Sequence, residues 1–185
     1  MEHRTGPGEP EVVFRGRFLE FVRQPFHGGH WEFIRRTGRC GVVFVYAVTP
    51  DDKVVVIRQF RPPLGAEVWE LPAGVCDRGG EPARECALRE LVEETGYRAS
   101  SIEFLTRGPV AAGSSATVGD IVLATGLEYV GPTGGDELFP IHVALVARRE
   151  LVAWVRERVA HNELADPRIL AAHCLAETQL NSGED

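Results

Sequence analysis

The chain has 185 residues, 44% of them hydrophobic, a formal net charge of −7 and a pI of about 5.4. That length and apolar content fit one domain with a real core. The lack of an overall basic field excludes long nucleic acid as a partner, while a small anionic substrate stays compatible, because local arginines and a bound metal outweigh global charge.

Residues 1–10 are polar and carry no apolar signal core, and no stretch approaches the roughly 20 apolar residues of a membrane span. Residues 12–14 and 18–22 are rich in β-formers, residues 24–30 contain Pro25 and Gly28-Gly29 and read as a turn, and residues 31–34 resume as a strand. Two apolar, β-branched runs follow at 41–48 and 53–59, joined by the turn signal Thr49-Pro50-Asp51-Asp52. A short strand is expected at 67–71. Pro72 and Gly74 end it and open a loop through Gly79-Gly80.

A helix is expected from Pro82, which suits a first turn, to Gly96, which suits a stop. Ala83, Ala87 and Leu91 form its apolar stripe. Residues 102–105, 120–124 and 139–146 read as strands. Two helices close the chain, one from Glu150 to about Val159, the other from the cap Asp166-Pro167 to about Glu177. Mixed strands with a few helices predict an α/β fold with helices on both sides of a sheet. No G-x-G-x-x-G follows a strand, which argues against a dinucleotide-binding unit. Cys40, Cys76, Cys86 and Cys174 form no Cys-x-x-Cys pair and no zinc spacing. They read as reduced, mostly buried thiols of a cytoplasmic protein.

The informative segment is the helix. Glu90, Glu93 and Glu94 stand at i, i+3 and i+4 and share one face. Like charges so placed cost roughly 0.2–0.5 kcal/mol per pair, a penalty that a hard divalent cation with oxygen ligands reverses. Arg89 is placed to pair with Glu85 or Glu93. The competing reading is a solvated acidic face. The irregular loop expected just before the helix weighs against it, because irregular backbone offers carbonyl oxygens that a helix interior does not.

Gly74, Glu81, Arg89-Glu90-Leu91, Glu93-Glu94 and Gly96-Tyr97 resemble the signature of the Nudix hydrolase family, G-x5-E-x7-R-E-U-x-E-E-x-G-U with U a bulky apolar residue. One departure stands out: six residues, not five, separate Gly74 from Glu81. The resemblance implies an α/β/α sandwich with a mixed sheet, and cleavage of a pyrophosphate bond with Mg²⁺ or Mn²⁺. It further implies that Glu90 and Glu94 ligate the metal, with Glu93 a further ligand or a water-orienting group. The Ala73 carbonyl would complete the shell, Gly74 would permit a tight loop, and Arg89 would orient the carboxylates.

Arg58-Gln59-Phe60-Arg61-Pro62-Pro63, residues 69–74 and His30-Trp31-Glu32-Phe33-Ile34-Arg35-Arg36 resemble the ADP-ribose and nucleoside-diphosphate-sugar pyrophosphatases of that family. This implies an N-terminal antiparallel β extension (residues 1–38) that dimerises the protein and reaches the substrate base, and a catalytic domain at 39–180; residues 181–185, at the chain's polar end, read as a frayed tail. Trp31 would stack on the nucleobase. Arg36 and Arg61 would contact phosphate or the terminal sugar. Relatives that use a glutamate in a loop after a Pro-Gly turn have no match here, because residues 111–117 lack both proline and glutamate. Glu137, in the acidic Gly134-Gly135-Asp136-Glu137 loop, is the preferred general base, and Glu93 the second choice. Hydrolysis of nucleoside triphosphates or oxidised nucleotides is the alternative activity. A non-catalytic nucleotide-sugar sensor is disfavoured by the presence of all three glutamates.

Overall fold

A computed structural model describes residues 8–38, 41–131 and 138–181. Strands β1 (Glu11–Arg15), β2 (Leu19–Phe26) and β3 (Gly29–Arg36) form a separate antiparallel sheet. The turn between β2 and β3 is shorter than the seven residues expected. Phe26 pairs with Gly29, so His27 and Gly28 alone make the turn, both at positive φ. Two such residues match the right-handed twist of the flanking strands, and Pro25 is carried inside β2.

The rest of the described chain holds β4 (Val42–Val48), β5 (Lys53–Arg61), β6 (Ala66–Glu70), β7 (Ala73–Val75), helix α1 (Ala83–Thr95), β8 (Tyr97–Arg98), β9 (Ser101–Pro109), β10 (Val118–Thr125), β11 (Glu128–Tyr129), β12 (Ile141–Ala147), α2 (Leu151–Ala160), β13 (Leu164–Ala165) and α3 (Arg168–Asn181). The main sheet runs β13-β6-β5-β4-β10-β9, with β12 on β5 and β7 on β4. It is mixed, since β10 lies parallel to β4 and β13 to β6 while the other pairings are antiparallel.

Alternation along β4 and β5 builds two cores. Val43, Val45, Ala47 and Val55 face α1, whose Cys86, Ala87 and Leu91 are buried against them. Tyr46, Val48, Val54 and Val56 face the other side, against Leu151 and Val155 of α2 and Ile169, Ala172 and Ala176 of α3. Successive strand residues point to opposite faces, so each strand serves both cores. The result is the α/β/α layering expected from the sequence.

One pairing detail positions the site. β4 and β5 pair only at Ala47–Val48 with Val54–Val55. Beyond that, β5 pairs with β6 and β4 pairs with β7. The sheet therefore parts between β4 and β5, and β7 lies along the parting. The loop expected after Leu71 begins with this three-residue strand and is irregular only beyond it: Gly74 is a poor strand former and Pro72 precedes it, but pairing with Val42–Phe44 of β4 overrides local propensity.

Candidate active site

Helix α1 ends where predicted. Pro82 precedes it in extended conformation and Gly96 closes it at φ 74°, with its N–H donating to the Val92 carbonyl. Leu91 and Ala87 turn toward the sheet, which lays Glu90 and Glu94 over β7. The Ala73 N–H donates to Glu94 Oε2 at 2.9 Å. Glu90 is 9% exposed, and its carboxylate lies against Gly74. A Cβ at position 74 would sit 1.8 Å from Glu90 Cδ. Gly74 is therefore needed for the close approach of a carboxylate, and not for a tight loop; its φ is not in the left-handed region.

Arg89 organises the charges. Its guanidinium donates to Glu81 at 3.0 and 2.8 Å, to Glu90 at 2.7 Å, to Glu93 at 3.0 Å and to the Val75 carbonyl at 3.3 Å. Glu93 is the partner expected from helical spacing. In place of Glu85, the other expected partner, stands Glu81, which lies before the helix and is brought back over its first turn. The Arg89 hydrogen bonds hold the Glu81 carboxyl below the usual carboxylate range, and the carboxylates in turn raise Arg89 above its ordinary value. Arg78, in the loop before the helix, adds a bond to Glu93 Oε1 at 2.9 Å.

Ala73 opens onto a cavity of about 380 Å³, whose walls include Phe44, Arg61, Glu70, Asp166 and Arg168 from the main sheet and its flanks and Leu19, Ile34 and Arg36 from the N-terminal sheet. The expected substrate residues Arg36 and Arg61 thus share one cavity. Arg61 also donates to Glu70 Oε2 at 2.8 Å, and Arg36 Nε is buried with no hydrogen-bond partner among the described residues. Trp31 is not part of the cavity lining. It is half-exposed on β3 and its indole N–H donates to the Gly113 carbonyl at 3.0 Å. Glu137 lies outside the described residues.

Sequence reading missed Phe44, Glu70, Asp166 and Arg168. Arg168 donates from Nε to Asp166 at 2.9 Å and lies over the Phe44 ring at 4.1 Å. Asp166 was legible only as a helix cap, and it does accept from the Arg168 backbone N–H at 2.8 Å. Of the expected buried thiols, Cys86 is buried, Cys76 is half-buried and Cys174 is exposed on α3.

Among the described residues, no three His, Cys, Asp or Glu side chains already form a metal cage. The donors that meet at β7 are two carboxylates and main chain. An oxygen-only set fits a hard cation that takes one or two carboxylates and completes its shell with substrate phosphate and water.

The model of the NUDIX domain matches residues 38–157. The chain belongs to the Nudix family. Nudix hydrolases generally use divalent metal ions. The chain is 39% identical over 151 residues to the methanol dehydrogenase activator of Bacillus methanolicus, covering 80% of this chain and 81% of that one. It is 40% identical over 122 residues to the ADP-ribose pyrophosphatase of Bacillus subtilis, covering 65% of each. It is 33% identical over 136 residues to the ADP-ribose pyrophosphatase of Mycobacterium tuberculosis, covering 73% of this chain and 66% of that one. A crystal structure of an ADP compounds hydrolase shares the fold, with a TM-score of 0.76 at 24% identity, covering 100% of this chain and 99% of that one. No helix among the described residues is long and apolar enough to cross a membrane.

Proposed function

We propose that the protein hydrolyses the pyrophosphate bond of ADP-ribose or a related nucleoside diphosphate sugar, releasing a nucleoside monophosphate and a sugar phosphate. The observation that carries this reading is the convergence of Glu90 and Glu94 on Ala73-Gly74, at the edge of a cavity lined by Arg36 and Arg61. The pyrophosphatases among its relatives support the substrate class. Mg²⁺ or Mn²⁺, held by Glu90, Glu94 and the Ala73 carbonyl, would activate a water and neutralise the diphosphate.

The chain's own residues do the rest. Arg89 fixes Glu90 and Glu93 in orientation, and an orienting partner of this kind is worth about 10–100-fold in activity or metal affinity. Arg36 and Arg61 offer fork-shaped cations to phosphate or terminal sugar. Glu137 is the proposed general base, with Glu93 the second choice. The ring of Trp31 offers a face to a nucleobase. The N-terminal sheet exposes Phe14, Phe18 and Trp31, apolar area that supports pairing of two copies in a homodimer. A cytoplasmic location accords with the reduced thiols.

A substrate panel with Mg²⁺ tests the reading. Release of AMP from ADP-ribose, or of the matching monophosphate from another nucleotide sugar, is the expected result. A folded, metal-supplied protein that leaves every nucleotide sugar intact and degrades dGTP derivatives would replace it with the triphosphatase alternative.

A further inference from the structure

The segment joining β9 to β10, residues 110–117, is Val-Ala-Ala-Gly-Ser-Ser-Ala-Thr and carries no charged or aromatic side chain. Such a loop has little apolar area to bury, so local packing alone leaves it at the low-stability end of a structure. Here it is tied down by polar bonds. Ser114 and Ser115 donate their N–H groups to the Ala111 carbonyl at 3.0 and 2.8 Å, and Val110 donates to Thr117 at 3.0 Å. The N-terminal sheet then adds three bonds from a distant part of the chain. The Ile34 N–H donates to the Ser114 carbonyl at 2.9 Å, the Ala116 N–H donates to the Ile34 carbonyl at 2.9 Å, and the Trp31 indole donates to the Gly113 carbonyl.

The same loop walls the cavity. Val110, Ala111, Ser114, Ser115 and Thr117 line it together with Ala73 and with Ile34, their bonded neighbour. The wall is made of methyls and hydroxyls and brings no formal charge. It suits the uncharged half of a substrate, a sugar or a nucleoside, lying beyond the diphosphate. Trp31 belongs to neither core cluster and is 52% exposed. Its ring is therefore not kept there by burial, whereas its one N–H, a donor only, is committed to the loop.

We propose that Trp31 is a positioning residue: its indole N–H straps the 110–117 loop to β3 and sets the cavity wall against which the uncharged half of a nucleoside diphosphate sugar lies. The proposal rests on the functional reading above for the identity of that substrate. The strap itself rests on the hydrogen bonds.

The test compares Trp31→Phe, which keeps an aromatic ring and loses the donor, with Trp31→Ala and the unaltered protein. Deuterium exchange over residues 111–117 and the kinetics of Mg²⁺-dependent ADP-ribose hydrolysis are both read. Trp31→Phe is expected to speed exchange in the loop and to raise KM about fivefold, the equivalent of one lost hydrogen bond of about 1 kcal/mol, with kcat within about twofold. Unchanged exchange in Trp31→Phe overturns the strap. Faster exchange with an unchanged KM, or a fall in kcat alone, overturns the positioning role. A Trp31→Phe protein that behaves as unaltered while Trp31→Ala has a raised KM assigns the residue to ring stacking alone, with no part for the N–H, and overturns the proposal. If the unaltered protein hydrolyses no nucleotide sugar, the functional reading and the positioning role fail together, and the exchange measurement still decides the strap.

Discussion

The carboxylate centre and the 110–117 wall of the cavity are held by different means. At the centre, five side chains come from one contiguous segment, α1 and the loop before it: Glu81, Arg89, Glu90 and Glu93 interlock through charge, and Glu94 accepts from the Ala73 N–H. Most are hydrogen-bonded to an ion of opposite sign, and charge-assisted bonds of that kind are roughly twice as strong as neutral ones. At the wall, neutral bonds join residues as far apart in sequence as Trp31 and Gly113. The first region is local and electrostatically over-determined, so its chemistry tolerates no loss of charge. The second is assembled across the fold from weak bonds, so it is suited to tuning which substrate half fits.

The sharpest way to break this contrast is at the centre. Glu94→Gln keeps an amide oxygen to accept the Ala73 N–H and removes only the charge. It is expected to lower turnover by more than about a hundredfold, beyond what loss of an orienting partner brings, while circular dichroism and the unfolding midpoint stay close to the parent. Unchanged activity would sink the metal assignment and leave Glu94 as a strand-to-helix brace. Gly74→Ala comes next. The added methyl overlaps the Glu90 carboxylate, so either Glu90 or β7 must move. Overpacking of this sort costs about 1–3 kcal/mol, and the displaced carboxylate should reduce turnover by about 10–100-fold. Chemical denaturation and kinetics on the same sample check both. A fully active, fully stable Gly74→Ala protein would mean that the centre is looser than its contacts imply.

Much of the centre was legible because its determinants lie close in sequence. Helical spacing puts three glutamates on one face, and Pro82 and Gly96 delimit the helix. The unbroken apolar run at 41–48 reads as a strand, and mixed strands with a few helices read as helices on both sides of a sheet. What escaped was everything decided by pairing at a distance. β7 reads as a loop because its proline neighbour and its glycine disfavour strands, and only β4 makes it one. Gly74 reads as a turn residue, whereas its role is set by a side chain sixteen residues on. Arg89 reads as a partner for Glu85 or Glu93 by spacing, and Glu93 does pair with it, yet Glu81 reaches it from outside the helix, where periodicity does not apply. Trp31 reads as a stacking aromatic, and nothing near it in sequence reveals that its N–H meets Gly113. Glu137, the chosen base, falls outside the described residues.

A smaller effect tests the electrostatic side of the contrast through pH. Arg89 keeps the Glu81 carboxyl below its usual value in the folded protein. The folded state therefore binds fewer protons than the unfolded chain at mildly acidic pH. The resulting stability is fully present above the unfolded value, near 4.3, and is lost as pH falls through the depressed folded value. Glu81→Gln should cost about 1.5–3 kcal/mol at neutral pH, the size of a hydrogen bond to a charged group. The gap between its denaturation curve and the parent's should narrow progressively below about pH 4. A gap that stays constant across that range would mean that Glu81 acts by packing alone.

The smallest effect is expected at Arg78, where the two kinds of holding meet. Arg78 lies in the loop that carries the extra residue of the family signature, and it is 62% exposed while bonded to Glu93. Gly79 and Gly80 beside it both take positive φ, and nothing lies within 4 Å of where their side chains would be. The added residue is thus absorbed in an open turn, and Glu81 still reaches Arg89. An exposed pair of this kind is worth roughly 0–1 kcal/mol, and Arg89 holds the other oxygen of Glu93. Arg78→Ala should therefore change kcat/KM by no more than about fivefold, the equivalent of about 1 kcal/mol, and the loss should shrink when the buffer goes from low to high salt, because screening weakens exposed pairs. A salt-independent loss of a hundredfold would place Arg78 on the substrate, and the extended loop would then belong to the binding surface and not to the scaffold of the helix.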